Sequence, residues 1–465
     1  MNSAIVSLLY MASAVLFIRG IKLMGKAESA RRGNRISSLG MLTAVVTVLS
    51  EKEVLGSWSS DLLHNGYLYI ALAILIGSVI GIVMARSVKM TGMPELVALF
   101  NGFGGLSSLL VALSQNITKP GGGLFTSLSL ALTVAIGAVA FTGSAVAWGK
   151  LSGKAFKKSL RIPGRNIVNA VIAALGLGGT ALYALGFSTL GLFMTALLFL
   201  ILGITLVAPI GGGDMPVVIS FLNALSGLAA AAAGFAISNA ALVVSGCLVG
   251  ASGLILTKIM CKAMNRTFSS LLFKSFGKSS KKASGEAREP RPISVEDAYL
   301  ILEAARNVVI VPGYGMAVAQ AQHAVKELSD KLEANGAEVS FSIHPVAGRM
   351  PGHMNVLLAE ANIPYEQLKP SDELNPRMSQ ADVAIVIGAN DVVNPDALND
   401  ESSPLYGMPI VNAFEAKTVF VLKRGKGTGF SGVENPLFTN DNTVMLYGDA
   451  KETVSALSRE FGAAS

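Results

Sequence analysis

The chain has 465 residues, of which 51% are hydrophobic and only 14% are charged, and its mean hydropathy is +0.55. These values exclude an ordinary soluble globular protein. The net charge of +7 does not indicate nucleic-acid binding, because the basic residues cluster without the interleaved aromatic side chains that stack on bases.

Apolar runs long enough to cross a bilayer fill the first part of the chain. About 20 apolar helical residues cross the roughly 30 Å hydrocarbon layer. The runs are rich in glycine, alanine and serine, which let helices pack closely in lipid. We therefore predict a polytopic α-helical membrane domain over residues 1–265 with about nine spans. The predicted spans are 3–18, 36–50, 67–85, 93–114, 124–148, 166–187, 189–208, 215–236 and 238–262. The second is the shortest, and the two between 166 and 208 also fit a different division.

Charge asymmetry predicts the orientation of these spans. Lysine and arginine clusters follow the first, third, fifth and ninth spans, whereas the other connections contain Glu51, Glu53 and Asp61 with little positive charge. The positive-inside rule then places the N-terminus outside and the C-terminal part in the cytoplasm, or in the matrix in a mitochondrial setting. The first apolar run precedes its positive charges, which favours a retained span over a cleaved signal peptide. We expect a multi-pass protein of a bacterial inner membrane.

The two cysteines provide neither a disulfide nor a metal-ligand spacing. Cys247 and Cys261 lie on one predicted helix, about 21 Å apart by helix rise, so they cannot pair. A reduced, intracellular domain fits this usage.

A polar, proline-containing linker at 266–292 divides the membrane domain from a soluble domain at 293–465. In the soluble domain, short apolar runs alternate with charged helical stretches, which is typical of an α/β fold. We predict strands at Asn307–Val311, Glu338–His344, Val383–Gly388, Pro409–Asn412, Thr418–Leu422 and Thr443–Tyr447.

A glycine turn follows the first predicted strand. Gly313 and Gly315 begin a GxGxxV pattern, and a helix is predicted from there to about Asn335. Glycines at this spacing permit a tight turn and a close approach of the backbone to a pyrophosphate. The truncated fingerprint alone equally fits a plain strand-to-helix turn, but its place in a series of strand–helix units favours a Rossmann-like dinucleotide-binding domain.

The charges beside the strands indicate which dinucleotide binds. An NAD site usually has an acidic residue at the end of the second strand, whereas that strand here ends in Ile343, His344 and Pro345. Lys423 and Arg424 end a later strand beside a glycine-rich loop, and two cations there suit a 2′-phosphate. The alternative is a solvated hairpin tip.

Several segments resemble the family of proton-translocating transhydrogenase beta subunits. In the soluble half these are Val311–Gln320 (VPGYGMAVAQ), His344–Asn355 (HPVAGRMPGHMN), Gly388–Pro395 (GANDVVNP) and Lys423–Arg424. In the membrane half they are Met93–Ala98 (MPELVA) and Gly213–Val218 (GDMPVV). The segments occur in matching order across nearly the whole chain.

The resemblance implies hydride transfer between NAD(H) and NADP(H), coupled to proton translocation. It implies NADP(H) on this chain, NAD(H) on a separate alpha subunit, and a dimer of the alpha–beta unit. A direct hydride transfer needs no catalytic acid or base from the protein. The resemblance assigns nucleotide contacts to Gly313, Tyr314, Gly315, Met316, Ala347, Gly348, Arg349, Met350, Ala389, Asn390, Asp391, Lys423, Arg424, Gly429 and Phe430. Within this set, Arg349 and its neighbours contact the pyrophosphate, the two cations bind the 2′-phosphate, and Asp391 also acts in coupling.

Polar residues in the membrane half are candidates for the proton path. Bacterial relatives have a histidine where this chain has Asn101, and an asparagine does not titrate near neutral pH. We predict that Asn101 lines the path while water or an ionisable group of the alpha subunit carries the proton; the alternative is a plain interhelical contact. Asp214 is interpreted as a gate residue or a solvated loop carboxylate, and Asn223 as a channel residue or an interhelical contact.

Composition alone also fits a second function, a nucleotide-gated membrane transporter or channel without redox activity. The NADP-type charges and the ordered motifs favour the transhydrogenase.

Overall fold

The computed structural model describes residues 3–25, 27–51, 65–88, 92–118, 122–153, 155, 164–211, 214–264, 267, 269, 289–350, 352–403, 405–425, 427–429 and 431–463. The chain divides into two compact units: Met1–Ile210 with Val218–Thr257, and Gly211–Val217 with Lys258–Ser465. The predicted domain boundaries at 265 and 293 stay predictions, and most of the predicted linker lies outside the described residues.

Long helices make up most of the described residues up to Ala263. They are α1 (Ser3–Met24), α2 (Ala27–Leu49), α3 (Gly66–Ser87), α4 (Met93–Thr118), α5 (Leu124–Leu151), α6 (Arg165–Ala184), α7 (Leu190–Val207), α8 (Met215–Ala236) and α9 (Ala240–Ala263). Within the described residues, eight of them are long and apolar enough to cross a membrane. The predicted polytopic membrane domain is confirmed.

Helix α2 is the predicted span that does not meet this criterion. Its first half carries Arg31, Arg32 and Arg35, and its apolar half from Ile36 to Leu49 is shorter than the about 20 residues that a span needs. It packs along α1, where the Ser13 hydroxyl donates to the Gly40 carbonyl at 2.8 Å.

Small residues allow the membrane helices to approach closely, as predicted. Helices α4 and α5 meet at Gly105 and Gly137: a Cβ on Gly137 would lie 2.8 Å from the Gly105 carbonyl oxygen. Polar bonds join other pairs, since the Tyr183 hydroxyl on α6 donates to Asn116 Oδ1 on α4 at 2.8 Å. Such packing and hydrogen bonding hold helices together in lipid, where apolar burial drives no association.

The C-terminal part of the chain forms one six-stranded sheet. Its strands are β1 (Asn307–Pro312), β2 (Glu338–Ile343), β3 (Leu368–Pro370), β4 (Val383–Ile387), β5 (Thr418–Lys423) and β6 (Thr443–Tyr447). They lie in the order β3-β2-β1-β4-β5-β6, and every pair is parallel. This is the doubly wound order of a Rossmann fold, so the predicted α/β domain is confirmed.

Helices cover the sheet and bury its apolar strands. They are α10 (Val295–Ala304), α11 (Tyr314–Val318), α12 (Gln322–Ala334), α13 (His353–Glu360), α14 (Ser371–Leu374), α15 (Asp396–Asn399) and α16 (Ala450–Ala463). Helices α10 and α12 both pack on α16, where the Tyr299 and Phe461 rings meet edge to face at 4.9 Å. Phe341 of β2 and Phe420 of β5 are completely buried in this layer structure.

Three local predictions in the sheet domain were wrong. Pro409–Asn412 is not a strand, because the Asn375 side chain binds this segment in place of a neighbouring strand: it donates to the Ile410 carbonyl at 2.8 Å and accepts from the Asn412 N–H at 3.0 Å. Strand β3 was missed since it has three residues and ends in a proline. The first helix is interrupted between α11 and α12, where Gln320 has a φ of +52°.

Candidate functional site

Two glycine turns meet where β1 and β4 end. Gly313 donates its N–H to the Ile387 carbonyl at 2.8 Å, and Gly315 donates to the Gly388 carbonyl at 2.9 Å. Gly388 has a φ of +65°, and a Cβ on Gly315 would lie 2.7 Å from its Cα. The turns therefore pack backbone against backbone. Because β1 and β4 are the neighbours at which the strand order reverses, this is the crevice in which doubly wound sheets bind ligands.

The loop after β2 lies beside the first glycine turn. The Arg349 guanidinium carbon is 4.5 Å from the centre of the Tyr314 ring, a cation–π contact that joins the two loops. Gly348 has a φ of +109°, which favours glycine, and Ala347 is buried. Met350 is half-buried in the same loop.

The end of β2 carries a buried histidine where an NAD site would have an acid. The His344 imidazole is 2% exposed, and its Nε2 is 2.7 Å from the Pro409 carbonyl oxygen. Burial lowers the pKa of His344 to about 4, so the ring is neutral at pH 7. In the part of the chain that the structure describes, the end of β2 therefore offers no carboxylate to the ribose hydroxyls.

The loop after β4 is tied to the segment after β5. The Asn435 side-chain amide donates to the carbonyl oxygen of Asn390 at 3.0 Å and to its Oδ1 at 3.2 Å. The Asp391 carboxylate accepts from Ser431, and a Cβ on Gly429 would collide with it. Sequence reasoning missed Ser431 and Asn435; small polar residues in a glycine-rich stretch were the available signal.

Lys423 and Arg424 lie at the carboxyl end of β5, next to the end of β4, since Gly388 donates its N–H to the Leu422 carbonyl at 3.3 Å. The Lys423 ammonium lies 4.4 Å from the centre of the Phe438 ring. Burial lowers the pKa of Lys423 from its ordinary value, and the charge of Asp391 opposes that shift. Arg424 is exposed, so among the described residues the end of β5 presents one cation held against a ring and one exposed cation.

The fold therefore gathers the nucleotide-site candidates at one sheet edge, because carboxyl ends of parallel strands meet there. Met316 and Ala347 are buried. Phe430 lies outside the described residues. The gathered candidates come from the ends of β1, β2, β4 and β5: Gly313–Met316, Ala347–Met350, Ala389–Asp391, Lys423–Arg424 and Gly429.

The membrane candidates occupy different positions. The Asn101 amide on α4 donates to Ser144 Oγ on α5 at 2.9 Å, and the Ser226 hydroxyl on α8 donates to the Asn101 carbonyl at 3.3 Å. Asn223 is exposed on α8, one turn before Ser226. Asp214 is 6% exposed, which argues against a solvated loop carboxylate.

Among the described residues, eight helices long and apolar enough to cross a membrane and a Rossmann-like domain with two cations at the end of β5 define a multi-pass membrane protein with a dinucleotide-type domain. A family model described as NAD(P) transhydrogenase beta subunit matches residues 6–460. Two relatives are the NAD(P) transhydrogenase subunit beta of Rhodospirillum rubrum and the same subunit of one strain of that species. Each is 45% identical to this chain over 455 residues, which cover 95% of this chain and 96% of the relative. The chain belongs to the NAD(P) transhydrogenase beta subunit family. Membership implies NAD(P)(H) binding and an alpha subunit as partner.

Proposed function

We propose that this chain is the NADP(H)-binding, membrane-spanning subunit of a transhydrogenase that transfers hydride between NAD(H) and NADP(H) and couples the transfer to proton translocation. NAD(H) binds to the alpha subunit, and the enzyme is active only with that partner. The choice of NADP(H) rests on one combination of residues: two cations, Lys423 and Arg424, stand at the end of β5, while the end of β2 carries the uncharged, buried His344.

Each loop of the sheet edge has a distinct part in binding. The glycine turns after β1 and β4 let the backbone approach the pyrophosphate. Arg349, held over Tyr314, supplies a planar cation for the same phosphates. Lys423 and Arg424 bind the 2′-phosphate by charge-assisted hydrogen bonds, and the Phe438 ring holds the Lys423 ammonium in place.

Bound NADP(H) supplies the hydride chemistry through its nicotinamide ring. The protein holds the ring in place and excludes water, so no acid or base of this chain takes part in the transfer. Asp391 connects the loop after β4 to the segment at 427–435 through Ser431. A change at this carboxylate therefore alters how firmly that segment closes over the nucleotide, which gives Asp391 its role in coupling.

The proton path runs through the membrane helices beside Asn101. Asn101 and Ser144 form a polar contact between α4 and α5, and Asn223 presents its amide on α8. None of these side chains changes charge near neutral pH. The carrier is then an ionisable group on a membrane helix of the alpha subunit, with Asp214 as the gate.

The proposed orientation needs all nine predicted spans, α2 among them, to cross the membrane. With nine crossings, the positive charges after the predicted first, third, fifth and ninth spans favour an NADP(H) domain in the cytoplasm of a bacterium, with the chain in the inner membrane. Two alpha–beta units form the functional dimer.

Reconstitution of this chain with its alpha partner in sealed vesicles tests the proposal. NADPH-dependent reduction of an NAD analogue should acidify or alkalinise the vesicle interior, and an uncoupler should abolish that gradient and accelerate turnover. Hydride transfer without any gradient would refute the coupling. Nucleotide-dependent ion flux without hydride transfer would instead support a gated channel.

A further inference from the structure

His353 is a buried imidazole that the proposed binding roles do not use. It begins α13, directly after Gly352 in a left-handed conformation, and it is 1% exposed. The next residue, Met354, and Leu357 and Leu358 on the same helix are also buried, so α13 is fixed in the core of the domain. The His353 ring is therefore carried by a helix that is anchored in the core.

The ring faces the loop that carries Arg349. Its Nδ1 accepts a hydrogen bond from the Arg349 backbone N–H at 3.1 Å. Gly348, with a φ of +109°, lies flat against the ring, because a Cβ there would be 2.5 Å from Nδ1. The Tyr314 ring lies 6.2 Å from the imidazole between ring centres, while the Arg349 guanidinium lies over Tyr314. The imidazole thus contacts both loops on which Arg349 depends.

Its protonation state is defined by this hydrogen bond. An Nδ1 that accepts has no proton, so the proton is on Nε2, and Nε2 is buried without a hydrogen-bond partner among the described residues. Burial, and then the charge of Arg349, lowers the pKa of His353 to about 4. A buried N–H without a partner destabilises the fold. An apolar side chain would avoid that cost, so the Nδ1 acceptor accounts for an imidazole at this position.

We infer that His353 is a positioning residue: its Nδ1 fixes the backbone of Arg349 so that the guanidinium is directed at the phosphates of the bound dinucleotide. His353 itself contacts no substrate atom. This inference rests on the proposed function, because it needs a nucleotide whose phosphates Arg349 binds.

Two amide substitutions at this position separate the acceptor from the packing. In His353→Asn the side-chain oxygen can occupy the place of Nδ1, whereas in His353→Gln the amide reaches the place of Nε2. We expect the purified full chain with His353→Asn to bind NADP⁺ within about twofold of the parent. We expect His353→Gln to raise the dissociation constant by about five- to tenfold, the loss of one hydrogen bond that orients a charged ligand contact.

A double-mutant cycle shows whether His353 acts through Arg349. Arg349→Ala should weaken NADP⁺ binding, and His353→Gln should add no further loss in that background, since coupled residues are not additive. Independent, additive losses would overturn the positioning role, and so would equal affinities of the Asn and Gln variants.

Amide hydrogen exchange of the nucleotide-free full chain gives a readout that needs no ligand. The Arg349 amide should exchange faster in His353→Gln than in the parent and in His353→Asn. Unchanged exchange in His353→Gln would overturn the inference even if binding falls. Lack of NADP⁺ binding by the parent would instead refute the proposed function, because Arg349 would then have no phosphate to bind. The exchange result would still show whether His353 holds the loop that carries Arg349.

Discussion

The Asp391 carboxylate accepts two hydrogen bonds from Ser431, one from the backbone N–H at 2.9 Å and one from the hydroxyl at 2.7 Å. The two residues stand 40 positions apart, one after β4 and the other after β5. A charged acceptor with two donors makes a strong contact, so this pair closes the segment after β5 onto the sheet edge.

Ser431→Ala should loosen this closure, because it removes the hydroxyl donor and keeps the backbone N–H. We expect NADP⁺ to dissociate from the full chain about tenfold faster, as measured by stopped-flow displacement. Ser402→Ala is a matched control: its hydroxyl donates to Asp400 at 2.6 Å in an exposed loop, so its loss should leave dissociation unchanged. An unchanged rate in Ser431→Ala would contradict the role of the pair.

Lys423→Ala and Arg424→Ala should each weaken NADP⁺ binding by about 1.5–3 kcal/mol, the contribution of a hydrogen bond to a charged group. Binding of NAD⁺, which lacks the 2′-phosphate, should hardly change. Calorimetric titration of the full chain measures both. Lys417→Ala serves as control, since Lys417 precedes β5 at the opposite sheet edge and pairs with Asp382 at 2.7 Å. Equal affinities of the parent for the two nucleotides would refute the assignment of this site.

Arg349→Ala should weaken NADP⁺ and NADPH by similar factors, because both redox forms carry the same pyrophosphate. A tenfold or greater rise in each dissociation constant is the expected order for losing a charge-assisted contact. Arg306→Ala is the control, since that guanidinium binds the Asn335 carbonyl at 2.7 Å near the amino end of β1. A loss confined to one redox form would point to a contact with the nicotinamide instead.

Asn101→Leu should preserve NADP(H) binding and suppress proton-coupled turnover in vesicles, because leucine cannot order water in a path. Ser144→Ala separates this from simple helix contact: it removes the acceptor of the Asn101 amide and leaves the amide in place. If both variants lose folded protein, Asn101 acts by joining α4 to α5. Normal proton pumping by Asn101→Leu would exclude a place in the path.

Stability should fall as pH decreases from about 6.5 towards 4. The folded-state pKa of His344 is lowered to about 4 by burial, so between these values the unfolded chain binds a proton that the folded chain does not. The contribution of His344 to the free energy of unfolding is fully present above the ordinary histidine pKa. About 3 kcal/mol of it is lost once the pH has fallen through the folded-state pKa. His353 acts in the same direction.

Melting temperatures of the full chain in detergent across this pH range measure the effect. His344→Gln can still donate to the Pro409 carbonyl. In this variant the melting temperature should fall less on the acid side of the pH curve, its acid limb. His323→Gln, on the exposed side of α12, should leave the limb as it is in the parent. Parallel acid limbs in the parent and His344→Gln would show that other groups dominate.

The sequence predicts the outline of the sheet edge but not its internal bonds. Strand β4 is buried throughout and the other four longer strands are mostly buried, so their apolar runs identify all five from the sequence. Because parallel strands end at one edge, the loops at Gly313, Arg349, Asp391 and Lys423 can be placed together from the pattern alone. Hydrogen bonds between residues far apart in the chain cannot be predicted from local sequence patterns.

Asn375 illustrates that limit. Its amide binds the Ile410 and Asn412 backbone groups 35 and 37 residues away, so a segment with strand-like composition needs no neighbouring strand. Ser431 and His353 were missed for the same reason: each matters through a contact to a residue in another loop or turn, and neither residue type identifies its partner. The membrane spans were easier, since length and apolarity alone decide them; α2 differs because arginines occupy half of it.

The buried His344 restricts redesign of the nucleotide preference. Converting such a fold to NAD(H) ordinarily means placing a carboxylate after the second strand. Here that carboxylate would replace a ring that is 2% exposed and would face the Pro409 carbonyl oxygen, an acceptor that repels it. An engineered NAD(H)-dependent variant therefore needs a rebuilt 409–412 segment with donors for the new acid, and removal of Lys423 and Arg424 alone should yield a weak binder of both nucleotides.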